Sequence, residues 1–167
     1  MSPYLLILEM HKLLGSLDTC LGKAVLAAES KKYDVNVLLQ SRLAPDMFPF
    51  VRQVQATCDQ AKYAAGRTTG KEMPSHPYTE QSVAELRERI AAVRGYLSSV
   101  SQQDFATIEE RTVTTPRWEG KSMTALDYLI QHAQPNFYFH LGMSYAILRH
   151  NGVDVGKRDY LGALPYR

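Results

Sequence analysis

The chain has 167 residues, 45% hydrophobic and 22% charged, with a formal net charge of +2. A chain of that length buries a full core without disulfide or metal staples. The charge is small and no run of five basic residues occurs, so nucleic acid is not an expected partner.

The start, MSPYLLILEMHKLLG, is apolar but lacks a basic leader and a small-residue cleavage site, and Glu9 and His11 interrupt it. Ser2 and Pro3 read as an N-cap and a first-turn proline. Leu6, Met10, Leu13, Leu17, Cys20, Ala24 and Ala28 then recur at steps of three and four. They form one stripe of a long helix that ends near residues 31–34. A short helical piece over 35–43 stops before Pro45. A second helix is predicted from Pro45 or Asp46, with Pro49 in its first turn, where a missing N–H is harmless. Its inward stripe is Met47, Val51, Val54, Cys58, Ala61 and Ala65, and it frays over 66–70.

The segment GKEMPSHPY, 70–78, reads as a loop. A third helix is predicted from Thr79, with Val83, Leu86, Ile90, Val93, Leu97 and Val100 as the most regular stripe in the chain. Glu85 and Arg89 are expected to pair at i,i+4 on its wet side. Residues 105–122 are not helical in pattern and read as a short extended excursion or a loop. Thr124 with Asp127 then resembles a capping arrangement. The fourth helix runs to about Asn151, with Gly152 as its stop and a kink or break at Pro135.

Four amphipathic helices with little strand signal predict an all-α helix bundle, one domain over 1–167, with a long connection between the third and fourth helices. No stretch approaches the roughly 18 apolar residues of a membrane span. Cys20 and Cys58 fall on apolar faces, as reduced buried thiols would. The expectation is a soluble, cytoplasmic protein with no membrane partner.

Familiar catalytic signatures are missing. GRTTGK lacks the spacing and the preceding strand of a phosphate loop, and there is no CxxC, HExxH or Glu-x-x-His. The chemistry-bearing stretch is QHAQPNFYFHLGMSYAILRHNGV, 131–153, with three histidines and, between two of them, Asn136. Asn136, His140 and Ser144 lie four apart and form one slanted polar row. Phe137, Leu141 and Leu148 beside them are core, which puts His140 at the edge of the buried face. His132 falls farther round, beyond the kink, and His150 sits in the last turn, where a cation suits the helix dipole.

RLAPDMFPFVRQVQ (42–55), PNFYFHLGMSYAILRHNG (135–152) and GKRDYLG (156–162) resemble the DinB/YfiT-like superfamily, in a branch known only as a domain of unknown function. The resemblance implies a four-helix bundle. It also implies a divalent metal, zinc or nickel, held by one histidine of the second helix and a His-x-x-x-His pair of the fourth. That pair falls on Asn136 and His140, so one ligand is an amide, poor for such metals. No histidine lies between His11 and His76, which leaves Asp46 or Cys58 as substitutes on the second helix. Three outcomes stay open: a lost site, a weak atypical one, or one completed by another chain. In the first, His140 bonds to Asn136 or to water, and a small-molecule pocket explains the buried polarity.

Phe137, Tyr138 and Phe139 spread around their helix, and Tyr145 lies on nearly the side of Tyr138. The tail covers part of these faces through Tyr160 and Leu161. A second copy covering the rest makes a homodimer the expected state, as the resemblance also implies. Arg42, Arg52, Arg149, Lys157 and Arg158 either collect at one end of the bundle or are solvated and paired with Asp46 and Asp159. The expected function is a non-catalytic or metal-independent module that binds a small molecule or a partner, with no cofactor. The alternative is a metal- or thiol-dependent transferase or isomerase, with His140 as the candidate general base.

Overall fold

The computed structural model describes residues 2–166. Helix α1 spans Pro3–Lys31, with Ser2 as N-cap and Pro3 in the first turn. Its stripe from Met10 to Ala28 is buried as expected, although Ile7 rather than Leu6 begins it. Lys32 ends it in the left-handed region, its N–H bonded to the carbonyls of Ala28 and Glu29. A 3-10 turn, Val35–Gln40, follows, capped by Asp34. Helix α2 spans Phe50–Thr69 and starts later than the predicted Pro45 or Asp46. A residue before proline avoids helical dihedrals, so Phe48 stays outside the helix and Pro49 becomes its N-cap. Residues 43–47 form a turn, and its Asp46 is exposed.

Helix α2 is the central element, packed against helices on several sides. It therefore buries polar residues, Gln53, Gln55, Asp59 and Lys62, along with Val54, Cys58, Ala61 and Ala65. Helix α3, Val83–Ser98, begins at a capping box of Ser82 with Glu85 rather than at Thr79, and its apolar stripe is buried throughout. The expected Glu85–Arg89 pair does not form. Glu85 is spent on the cap. Arg89 turns inward and is 4% exposed, because the carboxylates of Asp59 and Glu80 lie 3.0 and 2.7 Å from it.

The predicted extended excursion is a small antiparallel hairpin, β1 Thr112–Thr114 with β2 Ser122–Thr124, in which Val113 faces Met123. Glu119 and Gly120, with φ of 50° and 86°, supply the left-handed turn between them. From there three helical segments run without a gap: α4 Ala125–Asp127, a π turn Tyr128–Ala133, and α5 Gln134–His150. Thr124 caps α4 by accepting the Asp127 N–H at 3.1 Å. The π turn is the physical form of the expected disturbance at Pro135. A proline there cannot donate to the carbonyl four residues back, and the widened turn, with Gln134 bonded to the Leu129 carbonyl, absorbs the misfit. Helix α6, Lys157–Leu161, folds the tail onto α1. Tyr160 meets Tyr145 edge-on at 5.8 Å, so the tail covers that face as expected. Phe139 remains 53% exposed.

Among the described residues no helix is long and apolar enough to cross a membrane. Cys20 and Cys58 are buried and unpaired.

Candidate functional site

A cavity of about 400 Å³ lies between α2 and α5 and is roofed by the loop 115–118 of the hairpin. Its α2 wall is a stripe at helical spacing, Arg52, Ala56, Asp59, Gln60, Tyr63 and Arg67. The wall opposite carries His132, Asn136 and His140. His132 thus belongs with the other two, not farther round. A π turn advances fewer degrees per residue than an α turn, which cancels part of the drift between positions four apart. Ser144 lies deeper, its hydroxyl bonded to the His140 carbonyl at 2.9 Å.

His140 is hydrogen-bonded, but not to Asn136. Its Nδ1 lies 2.8 Å from Oε1 of Gln53, a residue 1% exposed on α2. The Asn136 amide instead donates back to the His132 carbonyl at 2.7 Å, a local bond that asparagine favours in helices. The Gln53 amide nitrogen faces the Phe48 carbonyl at 3.4 Å, so its oxygen is the acceptor and His140 Nδ1 carries the proton. That assignment leaves Nε2 as the ring's acceptor. Burial, and then the Arg52 charge, lower the His140 pKa and keep the ring neutral at pH 7. Phe48 stacks on His140 at 6.2 Å and Phe139 meets it edge-on at 5.2 Å.

The donor set does not fit the metal that the resemblance implies. His140 keeps only Nε2 as a donor, the Asn136 amide is engaged within the protein, Asp46 is exposed on its turn outside the cavity wall, and Cys58 is fully buried. Burial pushes the Cys58 thiol up to about 12, and Cys58 lies in the core rather than in the cavity wall. Among the described residues no three His, Cys, Asp or Glu side chains converge on a point that could hold an ion.

The far end of the cavity is aromatic and cationic. Arg67 lies 4.2 Å from the Tyr63 ring centroid and donates to the Tyr128 hydroxyl at 3.2 Å. Trp118 packs on His132 at 5.3 Å and on Tyr128 at 6.1 Å. Burial, and then Arg67, lower the His132 pKa. At the other end Arg52 stacks on Tyr78 at 3.8 Å. Asp59 is the one carboxylate in the wall among the described residues, and it is already taken: Arg89 at 3.0 Å, Lys62 at 3.4 Å and the Tyr78 hydroxyl at 2.6 Å. Of the two alternatives for the basic residues, a cluster at one end does not assemble. Arg42 donates to the Met47 carbonyl, Arg149 lies 3.9 Å from Asp154, Lys157 and Arg158 are exposed, and Asp159 pairs with Lys23. Arg52 alone of that set reaches the cavity. Arg67, Arg117 and Trp118 were not expected in the cavity, nor Gln53 as the partner of His140, although the stripe from Arg52 to Arg67 is visible in the sequence as a helical period.

Residues 4–161 match the family described as "Domain of unknown function (DUF1993)". The chain is also similar to the crystal structure of a DinB family member protein from Shewanella denitrificans. Identity is 48% and the TM-score 0.94, over 98% of this chain and 94% of that one. No curated protein matches the chain.

Proposed function

The chain belongs to the DUF1993 family and has the fold of a DinB family member, and on that premise we propose that it binds a small molecule without a metal, in the cavity between α2 and α5. The observation that carries this is that the Nε2 of His140, left free by the 2.8 Å bond from Nδ1 to Gln53, has no two further His, Cys, Asp or Glu side chains beside it to complete a metal site among the described residues. A cavity of about 400 Å³ is of the size that holds a small organic ligand. The test is metal analysis of protein purified without a chelating tag or resin. Zinc and nickel are expected far below one per chain, and either metal at one per chain would overturn the proposal.

A second reading, a thiol-dependent transferase, is favoured by one observation: His140 is held neutral with Nε2 as an acceptor. Such a ring can take the proton of a thiol while the sulfur attacks an electrophile. Thiol addition lost in His140→Ala, with the fold kept, would support it, and unchanged background rates would remove it.

The exposed aromatics beside His140 also bear on assembly. Phe139 and Phe48, 53% and 48% exposed, both pack on His140, and covering them with a second copy supports the homodimer. Light scattering at tens of micromolar should report twice the chain mass; a monomer would contradict it. The buried, unpaired Cys20 and Cys58 fit the reducing cytoplasm.

A further inference from the structure

Arg67 and Arg117 both line the cavity beside Trp118, and among the described residues neither has a carboxylate within 4.0 Å. Asp59, the one acidic wall residue among those described, is neutralised from outside the cavity by Arg89 and Lys62. The lining at this end is therefore net positive. Arg67 is also held in place. Its guanidinium lies over the Tyr63 ring at 4.2 Å and is tied to the Tyr128 hydroxyl at 3.2 Å. A stacked guanidinium keeps its edge donors for an in-plane acceptor, and one already ordered loses little entropy on binding. His132 Nδ1, in the facing wall, is buried without a hydrogen-bond partner among the described residues. Arg52 lies 15 positions earlier on α2, roughly 20 Å along the axis, so it cannot share one small anion with Arg67.

We infer that the Arg67 end of the cavity is an oxyanion subsite for a small aromatic acid. Its carboxylate or phosphate oxygens meet Arg67 and Arg117, and its ring lies against Trp118. This rests on the small-molecule reading above and narrows it to a ligand class. Charge and shape select together: two guanidiniums demand an anion, and the indole with its aromatic neighbours favours a flat apolar body.

Trp118 is the only tryptophan of the chain, so its fluorescence reports on this subsite alone. The experiment titrates the full chain with benzoate, with phenyl phosphate, and with benzamide as the neutral counterpart of benzoate. Saturable change is expected with an anion and not with benzamide. A tighter response to benzoate marks a carboxylate ligand, and a tighter response to phenyl phosphate marks a phosphate ligand. Arg67→Gln is expected to weaken the better anion by about tenfold or more. Arg117→Gln does the same at an exposed position where the fold is not at risk. Arg158→Gln, which removes one charge from an exposed face outside the cavity, leaves binding unchanged. Benzamide binding as well as benzoate would overturn the anion subsite while leaving a small-molecule cavity in place. No saturable response to either anion at millimolar concentration would also overturn it. Metal content is read separately and bears only on the earlier proposal.

Discussion

At the scale of the residue, the site turns on which atom each polar side chain spends. The place of His140 at the edge of the core follows from its spacing against Phe137 and Leu141. Its partner does not, because a helix pattern says nothing of what a facing helix presents. Asn136 satisfied itself within its own turn, and the buried Gln53 of α2 took the imidazole. Installing imidazoles tests this arrangement. The double variant Gln53→His with Asn136→His is expected to gain stoichiometric zinc, since it would place three rings around the point where the natural chain has one ring and two amides. Equilibrium dialysis with zinc checks it, and an unchanged background uptake would argue against the geometry. The charge state of His140 is a second test. Its ring should titrate in a proton–nitrogen NMR experiment below the ordinary histidine value, because burial and then Arg52 disfavour the cation. Arg52→Gln should move that titration upward, and no movement would remove Arg52 as a cause.

At the scale of the element, periodicity located the helices well and their ends less well. The α3 stripe was legible because every third or fourth residue is apolar. Its face assignment failed at Arg89, because the partners that draw it inward, Asp59 and Glu80, come from α2 and from the loop before α3. Burial opposes ionisation of Glu80, yet the bonds from Arg89, its own backbone and Gln55 keep its carboxyl below the usual range. The two residues of the expected surface pair should therefore behave very differently. Glu85→Ala loses a cap and should cost about 1 kcal/mol. Arg89→Met leaves the buried Asp59 short of its main partner and should cost about 3–5 kcal/mol. Urea unfolding of both variants decides, and equal small losses would restore the solvent-facing pair. The hairpin was foreseen only as an extended excursion, since three-residue strands carry too little alternation to read. It nevertheless supplies Arg117 and Trp118 to the cavity.

At the scale of the whole molecule, the histidines give the fold a pH signature. His11, His76, His132 and His140 are all depressed. Burial is the largest cause in each, followed by nearby cations. An unfolded chain takes up these protons near pH 6.5, whereas the folded chain takes them up only at lower pH. Their contribution to stability is therefore complete above about pH 6.5 and is lost as the pH falls through the depressed values. The thermal midpoint should drop between pH 7 and 5 and stay flat just above pH 7; a midpoint rising on acidification would contradict the burial of these rings. The most direct measurement is a crystal of protein never exposed to a chelating resin, with anomalous data collected above the zinc and nickel edges. The expected map shows His140 bonded to Gln53 and no anomalous peak beside the ring. A strong peak about 2.1 Å from a His140 nitrogen, with further donors closing its coordination, would contradict metal-independent binding.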